Sequence, residues 1–278
     1  QRTSVIAREA FYEALCGGRS PYGRITTEDD YRRLTTNNLR EFHMKHYRPD
    51  NMYVTVAGSD PWKALPVLEK YFSGNGADKW KKPVIPSPVL ETSAPGKIFR
   101  DVPDSVQSTV RIGWKGVIRS HPDYQSLQVA TMILGGYFGS RLMRTIREEK
   151  GYTYGIGAVA GAFHNIGYIT IMTDVANAYR DQTVAEIRKE IEKLRTIEVS
   201  EEEMTLVRNH MMGELARTFD GPFSVADAIR GIIDYDAGAD YYTRLAETVR
   251  SITPARIMEI FIRYFNPAEA WEIIAGSR

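Results

Sequence analysis

Residues 34–59 lie over residues 252–277 at a constant offset and without a gap, and this internal repeat constrains the fold more than any other feature of the chain. Thr35/Thr253, Glu41/Glu259, Pro49/Pro267, Ala57/Ala275, Gly58/Gly276 and Ser59/Ser277 are identical pairs. Leu39/Ile257, Lys45/Arg263, Tyr47/Phe265 and Val56/Ile274 are conservative ones. In each copy a threonine can cap a helix, apolar residues follow at helical spacing, a proline breaks the helix and a β-prone run closes the unit. The counterpart of Ile98–Thr218 would lie before Gln1. The first copy is either truncated or badly degenerate, and truncation is the expectation, because a sheet missing most of its strands would leave edges and core exposed.

The 278 residues have room for one large or two ordinary domains. An apolar share of 43% beside 26% charge suits a globular chain with a real core. A net charge of +1 gives no electrostatic argument for nucleic acid or an anionic membrane. A single cysteine, Cys16, excludes an internal disulfide and a cysteine zinc cage. No run has the length of a membrane span. The compartment stays open between cytoplasm and bacterial periplasm.

Taken in order, residues 4–16 read as a helix stopped by Gly17-Gly18, and Ser20-Pro21-Tyr22-Gly23 as a turn. A helix capped by Thr35 or Thr36 ends at Pro49, a strand is expected over 52–57, and a helix over 61–72. Proline and glycine punctuate residues 74–97, which read as a stiff extended linker between a first domain, 1–73, and a second, 98–278. Strands are expected at 98–102, 108–114, 152–163, 167–175 and 270–275, with a turn at His164-Asn165. Helices are expected at 123–134, 178–196, 200–218, 223–235, 239–250 and 254–265. Ser200 and Glu203 form a capping box pattern, and Thr253-Pro254 a cap followed by proline. Gly155, Gly157 and Gly161 share one parity, so one side of the strand over 152–163 is nearly bare and open to close approach.

The stretch from Gly135 to Gly157 concentrates the chemistry. Ser140 can cap a helix, Leu142 and Ile146 mark its buried stripe, and Gly151 ends it. Arg141, Arg144 and Arg147 recur every third residue on another face, and Tyr154 follows the turn. An arginine and a phenol can then converge at a helix–strand corner, a place to hold a peptide or an anion. The glycines before this helix lack the strand–loop–helix setting of a phosphate cradle.

These residues carry a resemblance. Phe138-Gly139-Ser140-Arg141-Leu142 through Arg147-Glu148-Glu149-Lys150-Gly151-Tyr152-Thr153-Tyr154-Gly155 resembles the pitrilysin/insulinase family of zinc metallopeptidases, which includes the mitochondrial processing peptidases. Secondary likenesses are Pro21-Tyr22-Gly23, Tyr47-Arg48-Pro49-Asp50-Asn51-Met52 and Asp220-Gly221-Pro222-Phe223. The resemblance implies paired homologous α+β domains, each an antiparallel sheet with helices packed on one face. Two such pairs close over an unfolded peptide. In the family a His-x-x-Glu-His helix of the first domain carries zinc, and the second domain supplies an arginine and a tyrosine that grip substrate. By position these are Arg147 and Tyr154.

The chain departs from the family at the zinc. It has no His-x-x-Glu-His, and His43-Met44-Lys45-His46 has the wrong spacing and no general base. His121, His164 and His210 have no partner pattern. No metal ligand and no catalytic residue is expected in this chain, with zinc in the complete enzyme or on a partner. The reading is the substrate-holding part of a zinc endopeptidase working with a homologous subunit or a second copy, with no nucleic acid and no membrane span. The alternative is an inactive relative that serves as a scaffold.

Overall fold

A computed structural model describes residues 2–72 and 87–278. The chain divides into two compact units, one of Gln1–Ile25, Pro88–Glu214 and Ala239–Arg278, the other of Thr26–Ser87 and Leu215–Gly238. The helices are α1 (Thr3–Cys16), α2 (Glu28–Arg32), α3 (Thr36–His46), α4 (Leu65–Phe72), α5 (Tyr124–Thr131), α6 (Arg180–Thr196), α7 (Glu201–Thr218), α8 (Pro222–Asp234), α9 (Tyr241–Ser251) and α10 (Pro254–Tyr264). The strands are β1 (Gly96–Asp101), β2 (Gln107–Gly116), β3 (Ile156–Ala162), β4 (Gly167–Ala176) and β5 (Trp271–Gly276).

The protein is α+β. Among the described residues five strands are present, all in the first unit and in one sheet of order β1-β5-β2-β4-β3. β2–β4, β3–β4 and β2–β5 are antiparallel, and β1–β5 is parallel. The parallel pair departs from the expected all-antiparallel sheet, and the reason is topological. The turn after β1 sends β2 back in the opposite direction, and β5 slots between them. Running against β2, it must run with β1.

Strand alternation gives the sheet two apolar faces. Val110, Ile112, Trp114, Ile169 and Ile171 pack with Leu127 of α5, Ile187 and Ile191 of α6, and Ile257, Ile260 and Phe261 of α10. This is the helix layer expected on one face. The other face carries α1, whose Ala7, Ala10, Phe11, Ala14 and Leu15 are buried with Trp271, Ile273 and Ala275 of β5. Burial of each large side chain contributes about 1.5–3 kcal/mol. Gly113 of β2 makes room for α1, because a Cβ there would overlap the Phe11 ring and come within 2.8 Å of the Ile169 carbonyl. Residues 91–93 are tied to the end of α1, with Glu91 N–H on Cys16 O and Ser93 N–H on Ala14 O. Most of the proline-rich stretch read as a linker lies outside the described residues.

The second unit holds α2, α3, α4 and α8. Thr35 caps α3 and Thr253 caps α10, both helices have 11 residues, and a 3-10 turn follows each, at Pro49–Asn51 and Pro267–Glu269. The helix and turn therefore recur at the offset found in the sequence. The strand expected over 52–57 does not form, since these residues have no ladder partner among the described residues. Tyr53 instead donates its hydroxyl to Asp234 at 2.5 Å. Burial differs as well. Ile257, Ile260 and Phe265 are fully covered, whereas Leu39, Phe42 and Tyr47 at the matching positions are exposed. Among the described residues no sheet lies in the second unit to cover them.

Candidate functional site

Two π turns shape the stretch that carries Arg147. The first, Met132–Gly136, contains Gly135, whose backbone leaves helical geometry. A Cβ on Gly135 would come within 2.8 Å of both Ala158 Cβ and N, so glycine lets this turn sit against β3. The second, Met143–Glu149, replaces most of the expected regular helix. Lys150 N–H bonds to Thr145 O and Tyr152 N–H to Ile146 O, both at 3.1 Å, and Gly151 stops the turn at φ 69°. Leu142 and Ile146 are fully buried, as their spacing predicts. Ser140 does not act as the expected cap. Its hydroxyl is buried and has no partner among the described residues. A π turn at such a place is a frequent companion of function, because it re-aims a side chain by widening one turn.

The three arginines separate. Arg141 closes a bidentate bond with Glu203 through Nε at 2.9 Å and Nη2 at 2.8 Å. Glu203 N–H also bonds to Ser200 Oγ at 3.2 Å, so one half of the capping box forms and the carboxylate goes to Arg141 instead. Arg144 is exposed. Arg147 stacks its guanidinium 4.5 Å above the Phe138 ring and makes no ion pair among the described residues. Next to Phe138, Tyr137 stacks on His210 at 4.8 Å. Burial, helped by Glu203 and opposed by Arg144, raises the Tyr137 phenol above its ordinary range.

Tyr154 lies beyond the turn with 95% of its surface exposed. It lines a cavity of about 300 Å³ with Gln107, Tyr152, Thr153, Asp174 and Tyr179. Strand pairing begins later than the sequence suggests, at Ile156 rather than Tyr152. The Thr153 hydroxyl explains the delay, reaching the carbonyls of Gly155 at 2.9 Å and Asp174 at 2.8 Å and holding a bend. Tyr152 stacks on Tyr179 at 4.7 Å. Arg147 and Tyr154 thus flank Gly151, but Arg147 does not line this cavity. No role for Phe138 followed from the sequence, because it lies nine residues before Arg147 and outside the turn that carries it, so no helical spacing pairs the two.

No three His, Cys, Asp or Glu side chains among the described residues converge in a way that could hold a metal ion. His43 stacks on Tyr47 at 4.8 Å and His46 lies 4.6 Å from Phe42, with no carboxylate between them. The donor set does not fit a zinc centre, and no zinc step is assigned to these residues. No helix among the described residues is long and apolar enough to cross a membrane.

Comparison with known proteins follows the same lines. Residues 33–211 match the family model described as the peptidase M16 inactive domain. The chain belongs to this family. It is 25% identical over 211 residues to the uncharacterised zinc protease YmxG of Bacillus subtilis (strain 168), covering 76% of this chain and 50% of that protein. It is 29% identical over 185 residues to an uncharacterised zinc protease of Rickettsia felis, covering 66% of this chain and 43% of that protein. The chain spans about half the length of these relatives. A protease from Helicobacter pylori has the same fold at a TM-score of 0.84 and 17% identity, over 97% of this chain and 66% of that one. The peptidase M16 inactive domain from Pseudomonas fluorescens superposes at 0.78 and 18% identity, over 98% of this chain and 65% of that one.

Proposed function

We propose that this M16 domain is the substrate-holding part of a zinc endopeptidase that hydrolyses unfolded peptides. Zinc and its general base are then supplied elsewhere in the complete enzyme or by a homologous partner subunit or second copy. The observation that carries the reading is the display of Arg147 and Tyr154 without a hydrogen-bonding or ionic side-chain partner among the described residues, Arg147 meeting only the face of Phe138. A phenol exposed over 95% of its surface forfeits the burial that usually stabilises an aromatic ring. An arginine that spends its face on Phe138 keeps its edge donors free. A peptide offers carbonyls at regular spacing, which suit a fork of N–H donors and one hydroxyl. The names of the relatives, zinc proteases, support the same class of reaction.

Arg147→Ala and Tyr154→Phe in the complete enzyme test the reading. Each is expected to lower kcat/KM for a quenched-fluorescence peptide by the equivalent of about 1–3 kcal/mol, the worth of a hydrogen bond to a charged group. The melting temperature should stay unchanged. Unchanged turnover in the double variant would leave the scaffold reading in its place.

A further inference from the structure

The bare side of β3 is filled at one end and empty at the other. The Tyr168 ring occupies the space beside Gly161. Above Gly157 the nearest described atom to a would-be Cβ is Gly135 O at 3.9 Å, and above Gly155, just before the strand, no described atom lies within 4 Å. Gly157 of β3 pairs with Met172 of β4, which pairs with Arg111 of β2. The three stand in one row on the face that α1 only partly covers.

Arg111 is 7% exposed. Its Nη1 lies 3.4 Å from Thr170 Oγ1, its Nη2 lies 3.5 Å from Met172 Sδ, and its buried Nε has no hydrogen-bond partner among the described residues. The Phe11 ring lies 5.8 Å from the guanidinium. No carboxylate among the described residues pairs with it. Asp174, two residues along β4 from Met172, accepts the Thr109 hydroxyl. Burial pushes the guanidinium below its ordinary range and Arg8 adds to this, while Tyr12, Tyr168 and Asp174 oppose it. A buried guanidinium with two long hydrogen bonds and one ring contact is a costly arrangement, because its lost hydration is poorly replaced.

The poorly satisfied edge of Arg111 has a defined shape. Nε and Nη2 are the two atoms with which Arg141 grips the Glu203 carboxylate. On Arg111 the same edge holds an empty Nε and a thioether, a weak acceptor. Met172 is 39% exposed and flexible, so its sulfur can leave for a better acceptor. We propose that Arg111 is the anion-binding residue of a trough floored by Gly157, and that its ligand is a carboxylate carried by an extended peptide. Once the Met172 sulfur moves aside, a planar carboxylate matches the Nε–Nη2 edge with two parallel bonds. The glycine floor admits a backbone that any side chain there would block. The delivery of this carboxylate by a peptide rests on the peptide-holding reading above, and the site itself does not.

Two measurements separate these parts. The first is the shift in melting temperature caused by N-acetylglycine against N-acetylglycinamide, at fixed pH and ionic strength. The carboxylate should raise the melting temperature of the wild type and the amide should not. Arg111→Met should abolish the difference. Gly157→Leu, which fills the trough and leaves Arg111 in place, should abolish it too and decides the matter if Arg111→Met does not fold. An equal carboxylate shift in wild type and either variant overturns the site. The second measurement is binding of two labelled peptides that differ only in Glu or Gln, with the acid expected to bind about tenfold more tightly to the wild type and equally to the variants. A carboxylate shift without peptide binding retains the anion site and overturns the delivery by peptide.

Discussion

Replacing Asp123 by Asn removes the charge at a point where three donors from α10 meet. Arg256 Nη2 reaches Oδ1 at 2.7 Å, and Arg263 Nη1 and the Tyr264 hydroxyl reach Oδ2 at 2.9 and 2.5 Å. Asp123 is 5% exposed and sits at the start of α5, so the cluster ties α5 to α10. Hydrogen bonds to a charged group contribute about 1.5–3 kcal/mol each when shielded. Arg256 and Arg263 are 31% and 56% exposed, which discounts their share. An overall loss of about 3 kcal/mol follows, or about 6–12 °C in melting temperature for a chain of this size. Burial pushes the Asp123 carboxyl up, but the Tyr264 bond and the two arginines pull it further down, so its folded pKa lies below the ordinary aspartate value. Its stabilisation is then fully present above the unfolded pKa of about 3.9 and disappears as pH falls through the lower folded value. Urea titrations of both proteins at a series of pH values, followed by tryptophan fluorescence, should show the gap between them closing below about pH 4. The Tyr264 phenol, raised to about 12 by burial and by Asp123, should titrate lower in the variant when followed by ultraviolet absorbance. A stability difference under about 0.5 kcal/mol at pH 7, or one independent of pH, would refute the reasoning.

Gly113→Ala should cost about 1–3 kcal/mol by forcing Phe11 aside, and Phe11→Leu in the same chain should recover part of it in denaturant titrations. Burial raises the Cys16 thiol to about 11, so the native protein should resist a thiol reagent at pH 8 and react at the rate of unfolding in urea. Rapid labelling of the folded chain would contradict this. Ile260→Ala in α10 should lose about 2–5 kcal/mol, whereas Phe42→Ala at the matching position of α3 should lose under about 1 kcal/mol. Equal losses would mean that the exposed face of α3 is covered in solution.

The local parts of this fold were legible because their causes are local. Thr253 and Pro254 start α10, helical spacing of Ile257, Ile260 and Phe261 gives it a buried face, and Asn266-Pro267 prevents its continuation. The hairpin at 163–166 follows equally from its turn and its alternating flanks. The parallel β1–β5 pair was not legible, since it depends on which distant strand fills the gap beside β2. The π turns were not legible either, because the same apolar spacing serves a regular helix until Gly135 and Gly151 are packed. At the site, the sequence singled out Arg147 and Tyr154 and the bare side of β3. It could not reveal Arg111, an apparently ordinary strand residue whose meaning comes from Met172 and Gly157 on neighbouring strands.

The position of β5 sets a timetable for synthesis. β1 and β2 leave the ribosome together, yet the strand that belongs between them follows only after every other strand of the sheet. At about 5–20 residues per second, the delay is on the order of ten to thirty seconds. During it β1 lacks β5, its one ladder partner among the described residues, and β2 keeps an open edge, both able to accept a stray strand. The nascent chain therefore depends on holding this slot open, and a chaperone that caps the β2 edge would act at the stage where the fold is most vulnerable.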